Sequence, residues 1–147
     1  MSDYPPIQPD SMGYWTHRVW NVHQALIKKR MEPFGLTASE GIILHVIAIK
    51  QPVPARDISQ YLAVTAPAVA RQVDALEKQG LVVRSGGDED ERVRIITLSP
   101  RGEKIWPEIR EILDKTHKQG IQGLDPDVVL SLLHALKQVR QNLESHL

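Results

Sequence analysis

Apolar residues recur along this chain first at helical and then at extended spacing. Behind Ser11, the residues Met12, Trp15, Val19, Val22 and Leu26 follow one another at spacings of 3, 4, 3 and 4. That is the seam of a narrow amphipathic helix with a serine N-cap. The helix is expected to end near Met31, ahead of Pro33 and Gly35, and so narrow a seam suits another helix better than a broad core. Thr37 and Glu40 form a capping box before an apolar stretch that reaches Ile49, which predicts a second helix to about Lys50, buried on most sides. His45 within it is read as a satisfied core or ligand-cleft histidine rather than a solvent base. Pro52 and Pro54 punctuate the chain, and Ile58, Tyr61 and Leu62 mark a short third helix from about Ala55 to Leu62. Thr65 then caps a fourth, where Pro67 is tolerable in the first turn and Val69, Val73 and Leu76 repeat until Gly80.

The period changes at Leu81-Val82-Val83. Ser85-Gly86-Gly87 opens a flexible stretch and Arg92 to Leu98 is β-branched, so this segment reads as a hairpin with a long tip. Ser99-Pro100 supplies the cap and first residue of a fifth helix through Ile105, Ile109, Ile112 and Leu113 to about Gln119, with a kink expected at Pro107. After Gly120 and Gly123, Asp125-Pro126-Asp127 begins a last helix, in which Val129, Leu132, Leu136, Val139 and Leu143 repeat the narrow seam. Neither terminal seam has an intrachain partner of matching length. Burial across a two-fold axis is the simplest solution, with Met12, Trp15, Val19, Val22, Leu132, Leu136, Val139 and Leu143 as the dimerisation residues. The first ten residues hold three prolines and read as an extended arm.

Composition narrows the function classes. A chain of 147 residues buries roughly 68 to 70% of its unfolded surface, enough for one domain without staples. The absence of cysteine excludes disulfides, Cys-ligated zinc and thiolate nucleophiles. No apolar run approaches the roughly 20 residues of a membrane span, and the acidic, proline-rich start lacks the basic and apolar segments of a secretory signal. A cytoplasmic protein with no membrane partner is expected. None of the six histidines lies three or four residues from another, so no metal site is expected. No phosphate loop, nucleophile elbow or paired-carboxylate motif accompanies the fold, so neither an enzyme nor a cofactor is expected. The 18 basic residues balance 18 acidic ones, and no long segment is strongly basic. A nucleic-acid function must therefore rest on pattern and on charges gathered to one face.

Two short helices joined by a tight turn and followed by a hairpin are the order of a winged helix-turn-helix, whose second helix enters a DNA major groove. The residues resemble the multiple-antibiotic-resistance regulators (MarR family), dimeric winged-helix transcription factors that respond to small molecules. The resemblance lies in Gly35-Leu36-Thr37-x-x-Glu40, in Val69 to Glu77 with Gly80-Leu81-Val82, and in the wing. There Asp90-x-Arg92, five residues, then Leu98-Ser99-x-x-Gly102 follows the family's wing signature with serine in place of threonine.

The expected fold is mainly α with a small β-hairpin wing. A single domain spans 1–147, with an arm at 1–10, dimerisation helices at 11–31 and 100–147, and the winged helix-turn-helix at 36–99. The resemblance implies a DNA-binding regulator, a ligand-responsive repressor that binds pseudo-palindromic double-stranded DNA as a homodimer. It implies that Arg92 enters the minor groove with Asp90 restraining it. In the fourth helix Thr65 can bond a phosphate or cap the helix, and Ala66 and Ala68, which with Pro67 form an apolar first turn at the DNA-binding face, can touch thymine methyls. Arg71 and Gln72 are base readers or a solvated face. Arg56, Ser59, Arg84 and Arg94 are candidate phosphate contacts by position. Trp15, Arg18, Trp20, His45 and Trp106 lie on elements that could line a cleft for a small aromatic or anionic effector, and are equally ordinary core and seam residues. The neutral charge and apolar helix start keep a second reading open: a winged-helix dimer that binds proteins or small molecules without sequence-specific DNA binding.

Overall fold

A computed structural model describes residues 11–86 and 94–147. Along the chain run α1 (Met12–Met31), a 3-10 turn (Glu32–Phe34), α2 (Ala38–Lys50), β1 (Val53–Pro54), α3 (Ala55–Leu62), α4 (Ala66–Lys78), β2 (Val82–Ser85), β3 (Ile95–Leu98), α5 (Pro100–Gly120) and α6 (Pro126–Glu144). The chain divides into two compact units, Met1–Leu113 and Asp114–Leu147.

The helices of the first unit start where side-chain oxygens can take up orphan amides. Ser11 Oγ accepts from Tyr14 N at 3.2 Å and Thr65 Oγ1 from Ala68 N at 3.3 Å. The Thr37–Glu40 capping box closes in both directions at 3.1 Å. Between α3 and α4 the chain reverses through Ala63, a non-glycine residue at φ 52. Val64 N donates to Ser59 O at 3.1 Å and Ser59 Oγ to Val64 O at 2.6 Å, which fastens that reversal.

One core joins these elements. Leu44 and Ile47 of α2, Ile58 of α3, Val69, Val73 and Leu76 of α4, Ile96 of β3 and Ile109 of α5 are all essentially inaccessible. The anchor of α1 in this core is not the seam expected from its spacing. Ile27 and Met31 are fully buried, whereas Met12, Trp15, Val19 and Val22 are exposed. The seam thus faces away from the unit's own core.

The sheet contains a strand that the apolar pattern does not announce. Besides the expected β2–β3 hairpin, Val53 and Pro54 pair antiparallel with Ile96 and Ile95, giving the order β1-β3-β2. Two residues ending in proline have neither the length nor the alternation of a strand, and proline is tolerated here because β1 is an edge. The side chain of Gln51 ties this edge down: its Oε1 accepts from Leu98 N at 2.9 Å and its Nε2 donates to Glu103 Oε1 at 3.1 Å.

The junction of β3 and α5 gives the Leu98-Ser99-x-x-Gly102 pattern its physical meaning. Ser99 Oγ donates to Gly80 O at 2.5 Å and accepts from Gly102 N at 3.0 Å, while Ser99 N donates to Leu81 O at 3.0 Å. A Cβ on Gly102 would approach the Leu81 carbonyl oxygen to under 3.0 Å and its carbonyl carbon to 3.1 Å. Only glycine lets the first turn of α5 lie so close to the start of β2. In the second unit, Asp125 Oδ1 caps α6 by accepting from Asp127 N at 2.8 Å. No residue of α6 is buried: Leu132, Leu136 and Leu143 are exposed, and Val139 is half-buried.

Candidate nucleic-acid interface and ligand groove

Helix α4 has 13 residues, about 20 Å at 1.5 Å per residue, and its faces have different surroundings. Val69, Val73 and Leu76 form the core face. On the outer face Pro67, Arg71 and Lys78 are exposed. Lys78 is a cation that sequence reasoning left unassigned, although its spacing of seven from Arg71 places it on the same face. Ala66 is exposed and Ala68 half-buried in the first turn. Thr65 is exposed, and its hydroxyl oxygen is used as the helix cap. Gln72 is turned elsewhere: it is half-buried and lines a groove.

The third face of α4 is acidic and meets the wing. Arg84 Nη1 lies 2.5 Å from Asp74 Oδ1 and 3.5 Å from Glu77 Oε1, and Nη2 donates to Ala70 O at 3.4 Å. The Arg84 side chain is only 20% exposed. Arg56, by contrast, is 81% exposed beside Asp57 at 3.6 Å. Ser59 spends its hydroxyl proton on Val64 O, and Arg94 is exposed at the start of β3. Asp90 and Arg92 lie outside the described residues.

The effector candidates fall in three places. His45 and Trp106 meet inside the first unit, where the indole Nε1 donates to His45 Nδ1 at 3.3 Å, which requires the tautomer protonated at Nε2. The Arg110 guanidinium lies 5.8 Å from the Trp106 ring centre. Trp15 and Arg18 gather instead around Tyr14: Trp15 packs edge-on at 5.4 Å and Arg18 lies over the ring at 5.6 Å.

Trp20 alone of the five lines a mostly apolar groove of about 130 Å³, whose walls are Trp20 and Gln24 of α1, Ser39, Ile42 and Ile43 of α2, Leu62 and Val64 at the turn, and Ala68 and Gln72 of α4. Sequence reasoning missed most of this lining, because four separate segments contribute two or three residues each. Gln24 carries a further signal: its Nε2 is buried with no hydrogen-bond partner. An unpaired buried amide donor costs about 1 to 3 kcal/mol.

Among the described residues no three His, Asp or Glu side chains cluster as a metal site, and no single helix is long and apolar enough to cross a membrane.

Helices α2, α3 and capped α4 with the three-stranded antiparallel sheet β1-β3-β2 define a winged helix-turn-helix. Residues 34–93 match the model of the MarR family. Solved structures match over most of the chain. A MarR family transcriptional regulator from Listeria monocytogenes complexed with 26mer DNA is 16% identical with a TM-score of 0.83, covering 91% of this chain and 89% of its own. The MepR–DNA complex of S. aureus is 20% identical with a TM-score of 0.83, covering 90% and 98%. CouR from Rhodococcus jostii RHA1, bound to p-coumaroyl-CoA, is 23% identical with a TM-score of 0.78, covering 92% and 95%. At these identities the likeness to each is one of fold. The matched segment carries the sequence pattern of the MarR family, and the whole chain shares the fold of solved transcriptional regulators of that family.

Proposed function

We propose that the protein is a DNA-binding transcriptional regulator, a ligand-responsive repressor that acts as a homodimer on pseudo-palindromic sites. The observation that carries this reading is the outer face of α4, where Pro67, Arg71 and Lys78 are exposed on a capped helix. Such a helix fits a major groove about 12 Å wide, with Arg71 reading guanine and the alanine-rich first turn meeting thymine methyls. Two copies would occupy successive grooves about 34 to 36 Å apart. Arg92, flanked by Asp90, is assigned to the adjacent minor groove. The dimer supplies that spacing: exposed Met12, Trp15, Val19 and Val22 on α1 and Leu132, Leu136 and Leu143 on α6 are apolar stripes of the kind that mark an interface.

The groove beside Trp20 is the effector site in this reading. Its volume of about 130 Å³ is close to the roughly 150 Å³ of a cavity that admits benzene. It suits one planar ring stacked on the indole, with a carbonyl or carboxylate oxygen accepting from Gln24 Nε2. A ring seated there would touch Ala68 and Gln72 of α4 directly, so its fit would depend on where the helix sits relative to α1 and α2. Ligand and DNA then favour different positions of α4, which is all that linkage requires.

Selection from randomised duplex DNA at about 0.1 M salt, followed by titration of the enriched pool against salt, tests the reading. An inverted-repeat consensus whose affinity falls linearly in log salt is expected. Absence of enrichment would refute it in favour of a module that binds proteins or small molecules.

A further inference from the structure

We infer that Arg84 is a positioning residue and not a phosphate contact: its guanidinium locks wing strand β2 against the acidic face of α4. The inference rests on the DNA-binding reading above and deepens it. Strand register already turns this side chain inward. Arg84 follows buried Val82 by two residues, between exposed Val83 and Ser85, and pairs across the ladder with buried Ile96. It therefore shares the face of β2 that looks at the helix, and cannot turn outward without a slip of the strand. Its acceptors on α4, at positions 70, 74 and 77, recur at helical spacing on one stripe. A planar fork can bridge such a stripe, whereas an ammonium, being a point charge, cannot.

The charges on α4 give the lock a second effect. The helix carries Arg71 and Lys78 against Asp74 and Glu77, so by itself it offers a polyanion no net attraction. With Arg84 docked, three cations face two acids. The two carboxylates remain 55% and 45% exposed, so either can be neutralised without emptying the core.

Asp74→Asn, Glu77→Gln, Arg84→Gln and Arg84→Lys separate the two roles in the full chain, read by amide exchange in β2 and by Kd for the selected duplex. A lock predicts that Asp74→Asn speeds exchange of the β2 amides and weakens DNA binding, each about tenfold, although it removes a negative charge. It predicts that Arg84→Lys fails as Arg84→Gln does, with the unfolding midpoint and dimer mass essentially unchanged. Tighter DNA binding by Asp74→Asn, wild-type affinity in Arg84→Lys, or unaltered exchange would overturn the inference. Should an arginine variant not fold, the exposed-site changes Asp74→Asn and Glu77→Gln still decide. If the unaltered protein selects no DNA, the regulator reading fails on its own, and the exchange arm alone then decides whether the lock exists.

Discussion

Gly102→Ala is the sharpest perturbation the fold allows, since it adds one methyl group where α5 crosses the start of β2. The new Cβ would meet the Leu81 carbonyl oxygen at under 3.0 Å, its carbon at 3.1 Å and Leu98 Cβ at 3.4 Å. The nearest neighbour is backbone, so no side chain can swing aside. Relief requires α5 to withdraw, which stretches Ser99 N to Leu81 O and Ser99 Oγ to Gly80 O. Overpacking of this kind costs about 1 to 3 kcal/mol and each weakened hydrogen bond about 1 kcal/mol. Against this, alanine gains up to about 1 kcal/mol over glycine in a helix. A net loss of about 3 kcal/mol should lower the melting temperature by about 6 to 12 °C, measured at fixed protein concentration because the proposed dimer would contribute to stability. Gly13→Ala is the control: nothing lies within 4 Å of its added Cβ, and a gain of a few tenths of a kcal/mol is expected. A Gly102→Ala protein within about 0.5 kcal/mol of the parent would refute the steric account of the Ser99-x-x-Gly102 pattern.

Three further outcomes are expected. Arg71→Ala should weaken binding to the selected duplex by about 1 to 3 kcal/mol and relax preference at one base pair, read by repeating the selection; a uniform loss at every position would make Arg71 a phosphate contact. Leu136→Asp should shift sedimentation to the monomer while helix content persists, because Leu136 is 40% exposed in the single chain and a charge there is costly only when covered; an unchanged dimer would move the interface off α6. Gln24→Met should weaken a one-ring aromatic acid, followed by Trp fluorescence, about tenfold by removing its hydrogen-bond donor; undiminished affinity would place the ligand elsewhere.

Helix ends were readable in the sequence because capping is local chemistry: Ser11, Thr37, Thr65 and Asp125 each take up an amide within three residues of their own position. What depends on contact across distance was not. Strand β1 exists only because β3 lies beside it, and Ile27 and Met31 outrank the regular seam of α1 only once α2 is in place. In the interface, the outward position of Arg71 follows from helical period alone. The inward position of Arg84 depends on the strand register that brings it to Asp74, 10 residues away in the chain. The groove, assembled from four segments, leaves no mark on any one of them. The wing-tip pair Asp90 and Arg92, the most specific part of the family pattern, lies outside the described residues.

Ala68 and Gln72 serve as a wall of the Trp20 groove from the same helix that presents Arg71 outward. A change at either position that enlarges the groove for a bulkier ligand also alters how α4 leans on α2, and hence the angle at which its outer face is offered. Under the proposed function, ligand preference and operator preference would therefore be coupled at these two positions. The same proposal places the separable control at the far wall, at Trp20, Gln24 or Ile42, where a substitution would alter the fit of the ligand without changing a residue of α4.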